Sequence, residues 1–489
     1  MSLLRRHPWL VVACIGELLL LVWWLGVFPA LLSPDSVAYT YGITHGNWYL
    51  GGSVTYDALE WLSLAVTGSV APLILLQLSA FAAAVTLVAR AVHRLGAPAR
   101  LTAAAACITC ALPMTGAFVA YLSKDMLFVV GQLLCAAGLL ERIADQEQTP
   151  WWRQRSTLLL AGGAVTMTLC RQNGVEMLVL ATVVVLLFAR ALWRPMVTAT
   201  AVGTAMWALV TFAVAPAAGA VPADSSLMLG PAYGDIGVLY RHDPQLFTAS
   251  EKALMAQVAP LSWWRDRSTC YASDPLTGED FVLNAHPVAG RLERLWVSLL
   301  ERAPSRVIAA RWCRGAIAWS VWPVQSHTIL PPLVTPTNLY HERAALSSAS
   351  VEALVPAAPA PWWHSAVTAI FKGTTARSAQ FILWRGATWC YLAYIAIAFA
   401  AVRLRRPVLG AAAAFLLANQ LVVLVDNPNQ LARYMLGCLF LGALLLPLAA
   451  IRRVPTNTSG RVGGVVLAEV DLLDGHDRAG EAPDPAGVQ

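Results

Sequence analysis

Long apolar runs alternate along this chain with short polar connections, and the alternation predicts a bundle of membrane-spanning helices. Ten runs stand out, at about 9–32, 59–92, 101–122, 126–143, 156–170, 175–191, 196–216, 380–402, 407–425 and 431–451. A helix needs roughly 20 predominantly apolar residues to cross a bilayer. The second run is too long for one straight span, so an interfacial turn is expected at its start. The first is too long for a signal-peptide core and has no small-residue cleavage site behind it, so it reads as a retained span.

Arginines sort the connections into two populations. Arg90, Arg94 and Arg100, then Arg142, Arg153 and Arg155, Arg190 and Arg194, Arg403, Arg405 and Arg406, and Arg452 and Arg453 all fall on one side when ten spans alternate. Arg5 and Arg6 precede the first span. Positively charged short connections stay in the cytoplasm. Both termini are therefore expected inside, and the intervening connections outside. The expected order is a transmembrane module over 1–216, an extracytoplasmic segment over 217–379, further transmembrane helices over 380–453 and a disordered cytoplasmic tail over 454–489, where Gly, Asp and Pro replace any packed pattern. Within the outer segment, Arg306, Arg311 and Arg314 interrupt the most apolar part of 287–322 and would be costly at the bilayer centre. The expectation there is an interfacial helix with Trp312, Trp319 and Trp322 at headgroup depth. A pair of extra spans is the rival count.

Composition narrows the class. With 57% hydrophobic and 13% charged residues and a mean hydropathy of +0.59, the chain is no ordinary soluble domain, and the fold class is an all-α polytopic membrane protein. The net charge of +6 does not point to nucleic acid, because the arginines serve orientation. An Ala- and Arg-heavy, Lys-poor composition is associated with GC-rich bacterial genomes, which would place the protein in a bacterial plasma membrane. Of nine cysteines, seven lie in or beside apolar runs as small core hydrophobes. Cys107 and Cys110 have CxxC spacing without redox or zinc context. Only Cys270 and Cys313 fall in the large polar segment, where an outside location leaves a disulfide open to them.

The outer connections carry the candidate chemistry. Ser33-Pro34-Asp35-Ser36 follows the first run. Pro34 suits the first turn of a new helix and Ser33 its cap, which would fix where Asp35 points. Asp35 is then either a helix-start acid complementing the dipole or a catalytic carboxylate. Lys124, Arg171 and Arg433 are held outside against the usual bias, and an anion such as a phosphate or diphosphate is the simplest partner. The plain alternative pairs Lys124 with Asp125 and Arg433 with Asp426. Asp35 and Asp125 could divide the labour of group transfer, one accepting a proton and the other orienting an acceptor or a metal. Asp57 and Glu60 are weaker candidates at the next helix start. His45 either binds substrate or metal or is simply exposed. Glu17 lies roughly 27 Å up a helix from Asp35 at 1.5 Å per residue, and reads as an interhelical partner.

An Asp soon after span one, Lys124-Asp125 before span four, Arg171-Gln172-Asn173-Gly174 at the fifth outer boundary and Arg433-Tyr434 opening the last span together resemble the GT-C membrane glycosyltransferases. The bacterial branch akin to protein O-mannosyltransferases and aminoarabinose transferases is the nearest in flavour, over roughly 9–188 and 426–447. The resemblance implies a sugar taken from a polyprenyl-phosphate donor at the outer face and passed to an extracytoplasmic acceptor. By position, Asp35 resembles the acceptor-activating carboxylate, with Asp125 beside it. Lys124, Arg171 and Arg433 resemble the groups around the lipid phosphate. Asn173, Tyr434, Asp57 and His45 are the substrate-binding candidates. Relatives often carry a His-Pro pair where this chain has Trp48-Tyr49-Leu50-Gly51-Gly52. Metal use stays open: no cofactor is certain, a divalent metal is one option, and no ligand cluster decides it. A secondary transporter or lipid flippase is the main rival, although the sequence shows no internal repeat and its charges sit at span ends rather than at the midplane. A noncatalytic scaffold is a further one.

Overall fold

The computed structural model describes residues 7–145, 150, 152, 154–222, 228–323, 354 and 357–451. In chain order, α1 (Pro8–Leu25), α2 (Pro34–Thr44), α3 (Val54–Thr67), α4 (Ala71–Arg94), α5 (Ala99–Ala111), α6 (Pro113–Val119), α7 (Lys124–Ala144), α8 (Arg155–Cys170), α9 (Gly174–Phe188) and α10 (Trp193–Leu209) form the first module. Among the described residues, the segment that follows, expected outside the membrane and called the outer segment below, holds α11 (Gly230–His242), α12 (Ala249–Val258), α13 (Leu261–Asp266), α14 (Glu279–Ala285), α15 (Ala289–Arg302), α16 (Pro304–Arg314) and α17 (Ala316–Trp319). The chain ends with α18 (Pro361–Thr374), α19 (Arg377–Leu383), α20 (Gly386–Leu404), α21 (Ala414–Asp426) and α22 (Leu436–Leu445).

This is a multi-pass membrane protein. Among the described residues, seven helical stretches are long and apolar enough to cross a bilayer, and an eighth is counted if the bent pair α5–α6 is one span. The expected runs 156–170 and 175–191 correspond to helices of 16 and 15 residues, short of a full crossing. Several expected boundaries move for local reasons. The first run was expected to be helical to residue 32, but α1 stops at Leu25, where the indoles of Trp24 and Trp363 reach Pro29 O and Val22 O at 2.8 Å. The run 59–92 breaks at Gly68, whose φ of 68° closes α3 in the left-handed region that glycine adopts freely. The run 101–122 bends by 62° at Leu112-Pro113, and the Thr115 hydroxyl takes up the Thr109 carbonyl at 2.6 Å.

Close helix contact rests on small residues, as expected where lipid offers no hydrophobic drive between helices. At the α7–α8 crossing, a Cβ on Gly131 would come within 2.7 Å of Gly163 O, and one on Gly163 within 2.6 Å of Gly131 O. The arginine-bearing connections gather at one end of the bundle. Arg94 pairs with Asp145 at 2.5 Å, Arg406 donates to Ile143 O at 3.1 Å, and Ile451 packs beside Gly96. Arg5, Arg6, Arg153, Arg452, Arg453 and the expected disordered tail lie outside the described residues. Inside the bundle Ser79 donates to Glu17 at 2.6 Å across α1 and α4, the interhelical role expected of it.

In the stretch expected to hold an interfacial helix, residues 287–322 fold into short helices, and those up to Ala310 share a second apolar core with α11–α14, built on Tyr233, Trp264, Phe281, Leu292 and Leu299. Arg314 is fully buried against Asp235, and Arg311 reaches the same carboxylate. Both arginines therefore have a carboxylate partner within the segment itself. Trp312 and Trp322 are exposed.

Candidate active site

Backbone pairing outside the helices assembles the end of the bundle opposite the arginine-bearing connections. Leu31 pairs with Tyr121 in a parallel bridge, with Leu31 N to Ala120 O at 2.8 Å and Leu122 N to Leu31 O at 2.9 Å. This lays the entry to α2 beside the entry to α7. Ser33 and Ser36 form a capping box at the start of α2, and the Ser36 hydroxyl donates to Leu122 O at 2.7 Å. Ser123 caps α7 by accepting from Asp125 N at 3.2 Å. Each cap therefore orients the carboxylate that follows it. Behind them Gln77, fully buried on α4, accepts from Tyr56 at 2.7 Å and donates to Val119 O and Tyr121 O at 3.2 Å.

The charged groups then meet. Arg171 Nη1 lies 2.9 Å from Asp125 Oδ1, Arg433 Nη1 lies 2.9 Å from Asp35 Oδ2, and Arg433 Nε lies 3.7 Å from Asp125 Oδ2. Arg433 thus bridges the two carboxylates. The alternative pairs of the sequence reading, Lys124 with Asp125 and Arg433 with Asp426, do not form. The reason is tertiary: α7 turns its first residues so that Asp125 meets arginines from two other segments. Lys124 makes no ion pair among the described residues, and its ammonium sits 5.4 Å from the centre of the Tyr39 ring. Arg171 packs over Tyr434 at 5.0 Å and Phe128 at 5.7 Å, which holds its guanidinium plane in place.

Two cavities flank this cluster. The smaller, about 120 Å³, is lined by Asp35, Tyr39, Tyr56, Glu60, Tyr121, Lys124, Asp125, Arg171 and Arg433. The larger, about 370 Å³, lies between the bundle and the outer segment and includes Gly52, Lys124, Arg171, Asn173, Glu176, Asn419, Asp426 and Tyr434. Lys124 and Arg171 face both. Burial pushes the Asp57 carboxyl up to about 7, opposed by Lys124, and the Glu60 carboxyl up to about 8. Near neutral pH they are incomplete counter-charges to the cations beside them.

Most of the residues named from sequence converge here. Asp35, Asp125, Lys124, Arg171 and Arg433 share the smaller cavity, while Asn173 and Tyr434 line the larger. Asp57 is buried behind Gly52 rather than on a cavity wall, its Oδ2 about 3.1 Å from where a Cβ on that glycine would stand. His45 does not join the site. It is exposed at the end of α2, stacked on Tyr41 at 4.0 Å. Sequence reading missed Tyr39, Tyr56, Tyr121, Glu176 and Asn419. Tyr39 and Tyr56 stand close to Asp35 and Asp57 along the chain, a proximity that could have marked them. Nothing local marks Asn419, which reaches Tyr434 O at 3.0 Å only through the packing of α21 on the last span. Among the described residues no group of three or more His, Cys, Asp or Glu could hold a metal ion.

Residues 39–278 match the model of a family described as "Family of unknown function (DUF6020)". No curated protein matches the chain. Among solved structures, ArnT from Cupriavidus metallidurans bound to undecaprenyl phosphate aligns over 91% of this chain and 78% of its own, at 16% identity and a TM-score of 0.35. The apo state of the same protein aligns over 90% and 78%, at 15% identity and a TM-score of 0.34.

Proposed function

We propose that the protein is a membrane glycosyltransferase that moves a sugar from a polyprenyl-phosphate carrier to an acceptor at the outer face of a bacterial plasma membrane, the acceptor being a cell-envelope glycan, lipid or protein. The observation that carries the reading is Lys124, an ammonium without an ion-pair partner among the described residues, standing with Arg171 where two cavities meet. A phosphate at that junction takes a compact charge from Lys124 and planar donors from Arg171 and Arg433. The larger cavity then receives the donor and the smaller one the acceptor hydroxyl. Asp35, the more exposed carboxylate of the pair at 46%, is the general base, and Asp125, at 5%, holds the two arginines. The hydroxyl oxygen bonds to the anomeric carbon as the carbon–oxygen bond to phosphate breaks. The hydroxyl proton passes to Asp35, and the lipid phosphate leaves against the cations.

Asp35 also accepts from Arg433, so the base and the phosphate grip are mechanically joined. The decisive test is transfer of labelled sugar from a synthetic polyprenyl-phosphate donor by the purified protein, with undecaprenyl phosphate as the lipid product. Wild-type protein should bind undecaprenyl phosphate and Lys124→Ala should not. Equal binding by both removes the phosphate from this junction and the proposal with it.

A further inference from the structure

The loop 427–431, which delivers Arg433, belongs to no helix and is gripped from outside by two stretches of the outer segment. On one side, the backbone N–H and hydroxyl of Ser273 donate to Pro428 O at 2.9 and 3.1 Å. Ala272 pairs with Asn429, and the Asn429 amide donates to Asp274. On the other side, Asn427 donates to Arg314 O at 3.0 Å, Gln430 to Cys313 O at 3.1 Å, and Arg311 to Val425 O at 2.6 Å. The two halves of this grip are joined covalently, because Cys270 and Cys313 form a disulfide. The bond is reachable: both cysteines line a surface cavity of about 290 Å³ with His242 and Arg306.

We propose that the Cys270–Cys313 disulfide is a redox-sensitive clasp that positions Arg433, so that a thiol reductant releases the 427–430 loop and weakens the grip on the lipid phosphate. The link to phosphate rests on the functional reading above; the link to the loop does not. A dithiol delivers two electrons and two protons, cleaving the sulfur–sulfur bond to two thiols while it becomes a cyclic disulfide itself. Freed of its covalent tie, the 270–274 stretch can part from 311–314, and the hydrogen bonds to Pro428, Asn429 and Gln430 no longer act together. Cys270, Cys313, Ser273 and Gln430 are in this sense positioning residues, acting through Arg433.

The test compares full-length oxidised protein, dithiothreitol-treated protein and the Cys270→Ser/Cys313→Ser double variant, all in lipid nanodiscs. Amide hydrogen exchange over 427–431 should accelerate by about tenfold or more on reduction and in the double variant, while the α7 amides stay as protected as before. Affinity for undecaprenyl phosphate should fall with the loop, recover on reoxidation of the wild type and not respond to dithiothreitol in the variant. Unchanged loop exchange after reduction overturns the clasp, as does a loosened loop with unchanged affinity, or a loss of protection that includes α7. Failure of the functional reading looks different: oxidised protein then does not bind undecaprenyl phosphate at all, whatever the loop does.

Discussion

Two aspartates in this protein each sit between two arginines, and their surroundings differ. Asp235 takes Arg314 at 2.6 Å and Arg311 on its other oxygen, where the Trp296 indole adds a hydrogen bond at 2.9 Å. Arg314 is fully enclosed. Asp125 takes Arg171 and Arg433, which stay 19% and 24% exposed, as Arg311 does at 19%; here a second carboxylate shares one arginine, and a lysine with no ion pair among the described residues stands alongside. The first cluster holds two cations on one carboxylate, with Asp235 and Arg314 both enclosed by protein. The second also carries more cations than paired carboxylates, but its cations line two cavities. Pairing alone therefore does not distinguish a structural ion cluster from a binding site; what separates them is whether the cations retain donors and volume for something else.

The sharpest way to break that comparison is Asp35→Asn, which keeps shape and removes most basicity. If Asp35 is the base, sugar transfer should fall about 10²- to 10⁴-fold. Because Arg433 donates to Asp35, donor affinity should shift as well, measured as KM beside kcat. Retained turnover would move the base to another carboxyl.

Next in size is Asp235→Asn, which strands Arg311 and Arg314. Removing one partner of a buried pair costs about 3–5 kcal/mol. Thermal unfolding in detergent should show a large loss of stability for Asp235→Asn and a smaller one for Asp125→Asn, whose arginines reach solvent. Equal losses would erase the distinction between closed and open clusters.

Smaller again is Arg433→Lys. The charge stays but the fork is lost, so lipid-phosphate affinity should drop by about tenfold, a binding change of about 1.4 kcal/mol. Isothermal binding of undecaprenyl phosphate reads it, and an unchanged affinity means Arg433 does not grip through two donors.

The smallest expected effect is on pH dependence. Asp57 and Glu60 have folded-state pKa values of about 7 and about 8, well above the roughly 3.9 and 4.3 of an unfolded chain. The folded state therefore holds more protons between these limits. The associated stability is full below the unfolded values and is lost as pH rises through 7 and 8. The melting temperature should decline from pH 6 to pH 9, and Glu60→Gln, which stays neutral, should flatten the decline.

Much of this was readable along the chain because membrane spans and charge bias are local properties. Apolar runs found the helices, Ser33 and Pro34 marked the start of α2, and the lone polar-region cysteines Cys270 and Cys313 are bonded. What was not readable has a common cause. A sequence does not show that Asp235 or Asp243, far away in the chain, meets Arg306, Arg311 and Arg314. The alternative that paired Lys124 with its neighbour Asp125 does not form, because a helix points adjacent residues in different directions.

The sequence by itself determined that this chain crosses a membrane several times and which outer connections carry charge, because hydrophobic periodicity and residue type act within a single segment. Only the tertiary structure decided which carboxylate holds which cation. The bridges between Leu31 and Tyr121 and between Ala272 and Asn429 join segments 90 and 157 residues apart, and no local propensity encodes such a register. Those pairings leave Lys124 with no ion pair among the described residues, at the junction of two cavities where the proposed phosphate would sit.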